Sequence, residues 1–319
     1  ILDELFLLYY KLGNLKTALP VAVELKDWQK KIWGEDAPAY GAAVSNLATL
    51  YSATGQMAEA LPLYKEVLKI EEKELGKDDY NYALSQNNVA ELYKRMGNFA
   101  EADALYKEAI NTCERALGKE NVNYATMLNN QAEFFAARGQ FASAEPMHKE
   151  VLRIRKKVLG EAHPDYAQSL NNLALVSQKM KHYVEAQKFY EAALLVIKNS
   201  LGMSHPDYAQ SLNNLALLYV DTKNYAEAGI LYQEVLRIYE KSFGKQDMHV
   251  ANTLSNIAKL EIEQGQLDKA GKLFGDAATI LKEKLGGNHP RYADVLNALA
   301  KVSILKKNED QAINFALDA

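Results

Sequence analysis

Apolar residues recur along this chain with a period of 42 residues, and within each period they fall on helical stripes. The clearest copy of the pattern is LNNLA, at residues 170–174 and again at 212–216. The second Asn of each copy is numbered position 0 below. Leu or a substitute lies at position −2, and position +1 is apolar in most copies. Ala lies at +2, and an aromatic residue often lies at +5. Spacings of three, four and seven place these positions on one face of an α-helix. The pattern predicts one amphipathic helix, called the first helix below, in every period.

A second helix is predicted in every period, after a turn marked by Gly (first at Gly13) or by Lys at position +9. Ala occupies position +14, and an aromatic residue follows four positions later in most periods, with His148 as a departure. A glycine after a bulky residue ends this helix, because glycine tolerates the left-handed conformation found at helix ends. Proline, as at Pro164, then marks the next first helix, since helices accept proline in their first turn. Asp165 and Asp207 are expected to serve the N-terminal ends of their helices, where negative charge is favoured.

A strict period over the whole chain indicates a repeat architecture, in which each helix pair buries its apolar face by stacking on its neighbours. We expect a single array, with its first and last repeats truncated because Ile1 and Ala319 fall inside helices. The predicted repeats are approximately residues 1–37, 38–79, 80–121, 122–163, 164–205, 206–247, 248–289 and 290–319.

The order Leu, Leu-Ala, Tyr, Gly, Tyr, Ala, Tyr, Ala resembles the tetratricopeptide repeat, whose usual unit is about 34 residues. The longer period here, with LNNLA, the Leu-Gly stop and the HPD-Y-A sequence, looks like the repeats of kinesin light chain. Similar long repeats occur in bacterial arrays joined to NTPase or caspase-like (CHAT) peptidase domains. The resemblance implies an all-α, right-handed superhelical solenoid of about eight helix-turn-helix repeats. It also implies that the first helices line a concave groove.

Composition limits the function further. With 37 basic and 41 acidic residues, the net charge of −4 argues against direct nucleic-acid binding. Cys113 is the only cysteine, so no intrachain disulfide and no cysteine metal site is expected, which fits a reducing, cytoplasmic compartment. No apolar run approaches the roughly 18 residues that span a membrane. No cofactor or metal is predicted, and the sequence leaves the oligomeric state open.

The recurring asparagines are the main candidates for a binding site, because Asn is a mediocre helix former and its recurrence needs a reason. One interpretation is a ladder of amides that holds a peptide backbone in the groove, as the resemblance implies. The other is that each amide bonds the neighbouring helix and fixes the stacking angle, and both roles can coexist. The candidate positions are Asn46, Asn88, Asn130, Asn172, Asn214 and Asn256 at position 0, Asn129, Asn171 and Asn213 at −1, and Gln168 and Gln210 at −4.

Position +3 of the first helix is expected to set the specificity. It carries Leu175 and Leu217 in two successive repeats and Lys259 and Lys301 in the next two. We therefore expect a partner segment with an apolar anchor near the leucines and acidic residues toward the lysines. The alternative is that these four side chains are ordinary solvated surface.

Catalytic motifs are not evident. His163, His205 and His289 belong to the repeated turn, and Cys113 is expected to be a small buried residue. No GxSxG, HExxH, glycine-rich phosphate loop or Cys/His ligand cluster occurs. We expect a non-enzymatic scaffold that binds a partner peptide or protein segment in its groove, like the kinesin-light-chain adaptor. The alternative is a sensor or regulatory array of a larger bacterial signalling protein, for example one controlling a CHAT peptidase or an NTPase domain.

Overall fold

The structure, a computed structural model, describes residues 2–12 and 14–319, so Ile1 and Gly13 lie outside the described residues. The described residues form sixteen α-helices and no strand. The helices are α1 (Leu2–Lys11), α2 (Leu15–Trp33), α3 (Pro38–Ala53), α4 (Met57–Glu74), α5 (Tyr80–Arg95), α6 (Phe99–Leu117), α7 (Val122–Ala137), α8 (Phe141–Leu159), α9 (Pro164–Lys179), α10 (Tyr183–Ser200), α11 (Pro206–Asp221), α12 (Tyr225–Phe243), α13 (Met248–Glu263), α14 (Leu267–Leu285), α15 (Pro290–Leu305) and α16 (Glu309–Asp318).

Two compact units divide the chain, unit 1 at Ile1–Val158 and unit 2 at Leu159–Ala319. In unit 1, the first helices α1, α3 and α5 pack on the second helices that follow them, and α2, α4 and α6 each pack on the next first helix. Unit 2 repeats this arrangement from α9 to α16. Each helix therefore covers its apolar face with its neighbours along the sequence, as the 42-residue pattern predicts.

Alanine is buried in the contacts between helices. In unit 1, Ala48 of α3 and Ala60 of α4 are fully buried, and in unit 2 so are Ala174 of α9 and Ala186 of α10. A small side chain at these positions lets the larger residues of the adjacent helix approach. Around Ala174 these are Tyr190, Leu215 and Leu218. The predicted core stripe is thus confirmed at its alanine positions.

Histidine caps several first helices, and Asp165 and Asp207 lie in the first turn of theirs, as expected from the sequence. His163 Nδ1 accepts the backbone N–H of Asp165 (3.1 Å), and His205 Nδ1 accepts that of Asp207 (3.2 Å). Asp79, Asn121 and Asp247 make the same bond in other repeats, and His289 does so for α15. Each bond satisfies one of the backbone N–H groups that have no partner within the helix. The two aspartates lie in the first turn without being the cap.

The turns between first and second helices require left-handed backbone. Gly55 has a φ of 83°, and Lys181, Lys223 and Lys307 take φ values of 65°, 62° and 60° at the equivalent position. A side chain in this conformation is strained, whereas glycine is not. In the described part of the chain, no helix is both long and apolar enough to cross a membrane.

Candidate peptide-binding surface

The first helices turn one polar face to solvent in each unit. Position −4 is exposed in every repeat from Ala42 to Asp294, including Gln168 and Gln210. Position 0 is half-buried from Asn46 to Asn256. The asparagines at position 0, called the Asn column below, therefore border the exposed face.

Hydrogen bonds from this column join successive first helices. In unit 1, Asn130 Nδ2 donates to Asn87 Oδ1 at 3.1 Å, which links α7 to α5. In unit 2, Asn256 Nδ2 donates to Asn213 Oδ1 at 2.9 Å, which links α13 to α11. In both pairs, an Asn at position 0 bonds the position −1 residue of the preceding repeat. The stacking role that the sequence left open is therefore present in these pairs, while ligand binding by the same amides stays a prediction.

The candidate amides at position −1 are buried or half-buried, and they bond other residues of the chain. Asn129 is 4% exposed, and its Nδ2 donates to Glu133 Oε1 at 2.8 Å. Asn171 is half-buried and donates to Ser211 Oγ at 2.8 Å. The reason is helical geometry: a residue one position before the Asn column is rotated by about 100° toward the adjacent repeat. These amides bond partners within the array, while ligand binding by Asn129, Asn171 and Asn213 stays a prediction.

Position +3 plays different roles in the two units. In unit 1, Thr49 hydrogen-bonds the hydroxyl of Tyr64 (3.0 Å), and Glu91 accepts from Tyr106 (2.8 Å). Burial raises the pKa of the Tyr106 hydroxyl, and the Glu91 carboxylate raises it further, so the hydroxyl remains a donor. These contacts tie Thr49 and Glu91 to the second helix of their own repeat.

In unit 2, the hydroxyl of the core residue Tyr190 bonds a residue other than the one at position +3. Tyr190 donates to Gln178 Oε1 (3.0 Å), and Gln178 in turn donates to Asp221 Oδ2 (2.7 Å). Position +3 of α9 is therefore not needed to satisfy the tyrosine hydroxyl. This exchange was not predicted from the sequence, although Gln178 stands where the other repeats of unit 2 carry Val220, Ile262 and Ile304.

Four side chains at position +3 are exposed in unit 2. Leu175 is 44% exposed and Leu217 is 37% exposed. Lys259 and Lys301 are also exposed, and no carboxylate among the described residues pairs with either ammonium group. We call these four residues, on α9, α11, α13 and α15, the +3 row. It offers two aliphatic contacts followed by two unpaired positive charges.

Cavities lie between successive first helices in each unit. In unit 1, Asn46 and Asn88 line a cavity of about 330 Å³ bounded by α3, α4 and α5. In unit 2, a cavity of about 290 Å³ brings Gln168, Asn171 and Gln210 together with Ile197. These spaces place predicted site residues next to openings that a side chain of a partner can enter.

Two potentially reactive side chains, Cys113 and His148, are buried. Burial raises the pKa of the Cys113 thiol to about 11, so the thiol stays protonated at neutral pH. His148 is 1% exposed, and burial together with the Arg155 charge lowers its pKa to about 4. Among the described residues, no three His, Cys, Asp or Glu side chains are grouped so that they could hold a metal ion.

Comparison with known proteins gives a consistent result for the fold. The tetratricopeptide repeat model matches residues 39–115, 81–157, 123–183, 165–241 and 249–319. No curated protein matches the chain.

Solved structures similar to the chain include kinesin-light-chain-like proteins. BtubC (BKLC) from P. vanneervenii is 26% identical with a TM-score of 0.63, covering 72% of this chain and 92% of its own. A putative kinesin light chain from Podospora anserina, described by its nearly identical TPR-like repeats, is 26% identical with a TM-score of 0.55, covering 63% of this chain and 95% of its own. A signal transduction ATPase (STAND) protein with a tetratricopeptide repeat sensor from Pyrococcus horikoshii has a TM-score of 0.63 and covers 98% of this chain and 48% of its own. Its identity of 15% shows the fold alone.

These matches cover most of the sequence, and they agree with the all-α helix pairs and with the 42-residue period. Tetratricopeptide repeats are typically non-catalytic and generally bind other proteins, so the chain is a protein-interaction scaffold. It belongs to the tetratricopeptide repeat family, in the long form that kinesin light chain also has.

Proposed function

We propose that unit 2 binds an extended segment of a partner protein across the exposed face of α9, α11, α13 and α15. The observation that carries this proposal is the +3 row, in which two exposed leucines precede two exposed lysines without carboxylate partners. When a ligand covers an exposed leucine, apolar surface is removed from water, and this favours binding. The unpaired lysines attract carboxylates without first breaking an internal ion pair.

The spacing of the helices sets the length of the segment. Packed helices lie roughly 10 Å apart, so four successive first helices span roughly 30 Å. An extended chain advances roughly 3.3 Å per residue, and about nine residues therefore cross the row. The segment carries an aliphatic or aromatic residue at the end over Leu175 and Leu217. It carries Asp or Glu at the end over Lys259 and Lys301.

The glutamines and asparagines beside the row supply contacts to the backbone of the segment. Gln210 is exposed, and its Nε2 donates to Asn214 Oδ1 at 3.1 Å. An amide side chain has two donor hydrogens and an acceptor oxygen, so this single bond leaves Gln210 with further capacity. We expect such groups to fix the register of the segment, while the +3 row selects its side chains.

A random peptide library displayed on phage and selected on the full chain tests this proposal. We expect enriched peptides that combine apolar and acidic residues, with affinities measured by fluorescence anisotropy. The double variant Lys259→Glu/Lys301→Glu should weaken their binding by about tenfold or more and reduce its salt dependence.

The matched control is Lys188→Glu/Lys272→Glu, which makes the same change of net charge on the exposed faces of second helices α10 and α14. We expect it to leave the affinity within about twofold of the wild type. Enrichment of basic peptides, or equal weakening by both double variants, would contradict the proposal.

A further inference from the structure

In unit 1, the cavity between α3, α4 and α5 contains a carboxyl group that the fold does not require. Glu71 of α4 is half-buried, and its Oε2 is inaccessible to solvent without a hydrogen-bond partner among the described residues. Buried polar atoms in folded proteins are nearly always bonded, so an unbonded one needs an explanation. Glu71 also lines the cavity, so its carboxyl group lies beside a side chain that enters it.

The equivalent position in other repeats shows that a carboxyl is not needed for packing. It is occupied by Gln29, Cys113, Arg155, Ile197, Tyr239 and Leu281, all of which are buried. Leu281 and Ile197 are the apolar residues expected on the inner face of a second helix. Glu71 is thus the one acidic residue at a position that holds uncharged side chains in five repeats and the buried Arg155 in another. Departures of this kind from a structural pattern are expected at functional sites.

The other walls of the cavity favour a long side chain with a positive end. Glu74 lies exposed in the lining, and no hydrogen bond or ion pair to it is found among the described residues. The lysines of this region pair elsewhere, Lys73 with Asp36 (2.5 Å) and Lys77 with Glu72 (3.0 Å). Neither carboxyl group therefore forms an ion pair among the described residues, although the Ser85 hydroxyl bonds Glu71 and the Lys73 charge acts on Glu74.

Apolar and amide groups complete the lining. Ile70, Leu75 and Leu84 provide aliphatic contact, and Asn46 and Asn88 provide amide oxygens. An arginine side chain matches this set, because its stem is apolar and its guanidinium has five donors and no acceptor. Guanidinium is also more weakly hydrated than ammonium, which makes its partial burial less costly. The volume of about 330 Å³ is large enough for the whole side chain.

We propose that this cavity is a binding pocket for an arginine side chain of a partner protein, with Glu71 and Glu74 as its anionic partners. Burial raises the pKa of the Glu71 carboxyl, and the Ser85 hydroxyl partly opposes this. A guanidinium in the cavity supplies the missing positive charge. The pocket lies in unit 1 and is independent of the +3 row in unit 2, so either proposal can fail alone.

Nuclear magnetic resonance titration of the full chain with Nα-acetyl-arginine amide tests the pocket. The probe should shift the backbone amide signals of Asn46, Ser85 and Asn88 with millimolar affinity. The neutral isostere Nα-acetyl-citrulline amide should shift them at least about tenfold less at equal concentration. Glu71→Gln and Glu74→Gln should each abolish the response to arginine. No response in the wild type, or equal responses to the two probes, would overturn the proposal.

Glu72→Gln is the matched control, because Glu72 is exposed on the same helix and does not line the cavity. It should keep the arginine response. Glu71→Gln should remain folded, since Gln29 is buried at the equivalent position of α2, and circular dichroism melting checks this. A folded Glu71→Gln protein that still responds like the wild type would also overturn the proposal.

Discussion

Asn130 Nδ2 donates a hydrogen bond of 3.1 Å to Oδ1 of Asn87, a residue 43 positions earlier, and thereby joins α7 to α5. The bond connects position 0 of one repeat with position −1 of the preceding repeat. Asn256 and Asn213 form the same contact in unit 2. The Asn column is therefore part of the stacking interface as well as the border of the exposed face.

Removal of this amide pair should reveal energetic coupling between two repeats. We expect Asn87→Ala and Asn130→Ala each to lower the free energy of unfolding by about 1–2 kcal/mol, because each leaves its partner without a bond. A double-mutant cycle measured by urea unfolding should give a coupling of about 1 kcal/mol. Strict additivity of the two effects would show that the bond contributes nothing to stacking.

Histidine capping predicts a selective effect at the starts of first helices. His205→Ala should lower the free energy of unfolding by about 1 kcal/mol, whereas His205→Asp should keep it, since Asp247 caps α13 in the same way. His182 is the matched control, because it precedes α10 without accepting a hydrogen bond from the helix. His182→Ala should leave urea unfolding unchanged. Equal losses at the two histidines would contradict the capping role.

Buried His148 predicts a loss of stability in mild acid. Its pKa is lowered from 6.5 to about 4 in the folded state, so the unfolded state binds the proton more tightly. Above pH 6.5 the imidazole is neutral in both states, so His148 does not make the free energy of unfolding depend on pH. As the pH falls from 6.5 toward 4, protonation of the unfolded state progressively lowers the free energy of unfolding. By about pH 4.5 the loss reaches about 2–3 kcal/mol.

The variant His148→Phe removes this titration and restores an aromatic residue, as Phe274 does in its repeat. The difference in unfolding free energy between variant and wild type should widen by about 2–3 kcal/mol between pH 7 and 4.5. Chemical unfolding at a series of pH values measures it. A difference that stays constant with pH would show that His148 does not titrate in this way.

Adjacent residues of α9 distinguish the core from the exposed face. Ala174 is fully buried against Tyr190 and Leu215, whereas Leu175 is 44% exposed. Ala174→Arg should lower the unfolding free energy by about 3–5 kcal/mol, because it buries a charge without a partner. Leu175→Arg should change it by less than about 0.5 kcal/mol. Thermal melting followed by circular dichroism checks both, and an unchanged melt for Ala174→Arg would disprove the assigned helix register.

The sequence was sufficient for the features that depend on local rules. Proline at helix starts, glycine at turns and the buried alanines at +2 and +14 follow from backbone conformation and from the helical period. The Asn87–Asn130 bond was not predictable in detail, because it depends on the axial offset between neighbouring helices. The burial of Asn129 has the same origin.

The different roles of position +3 also required the structure. Glu91 and Leu175 occupy the same position in the repeat, yet one is bonded to Tyr106 and the other is exposed. The residue at position +3 bonds the core tyrosine only where the tyrosine has no other hydrogen-bond acceptor, and Tyr190 has one in Gln178. The hydrogen-bond partner of the tyrosine depends on residues of two helices, so it cannot be predicted from the residue at one position of the repeat alone. Likewise, Glu71 acquires its significance only through the cavity that α3 and α5 form around it.

Locating a bound peptide tests the central claim most directly. The photo-reactive residue p-benzoylphenylalanine is placed either at residue 217, in the +3 row of α11, or at residue 230, on the second helix α12. The native residues Leu217 and Ile230 are both exposed aliphatic side chains, at 37% and 70%. With a peptide selected on the wild-type chain, we predict efficient cross-linking from residue 217 and none above background from residue 230. Cross-linking from residue 230 without cross-linking from residue 217 would contradict binding across the first helices.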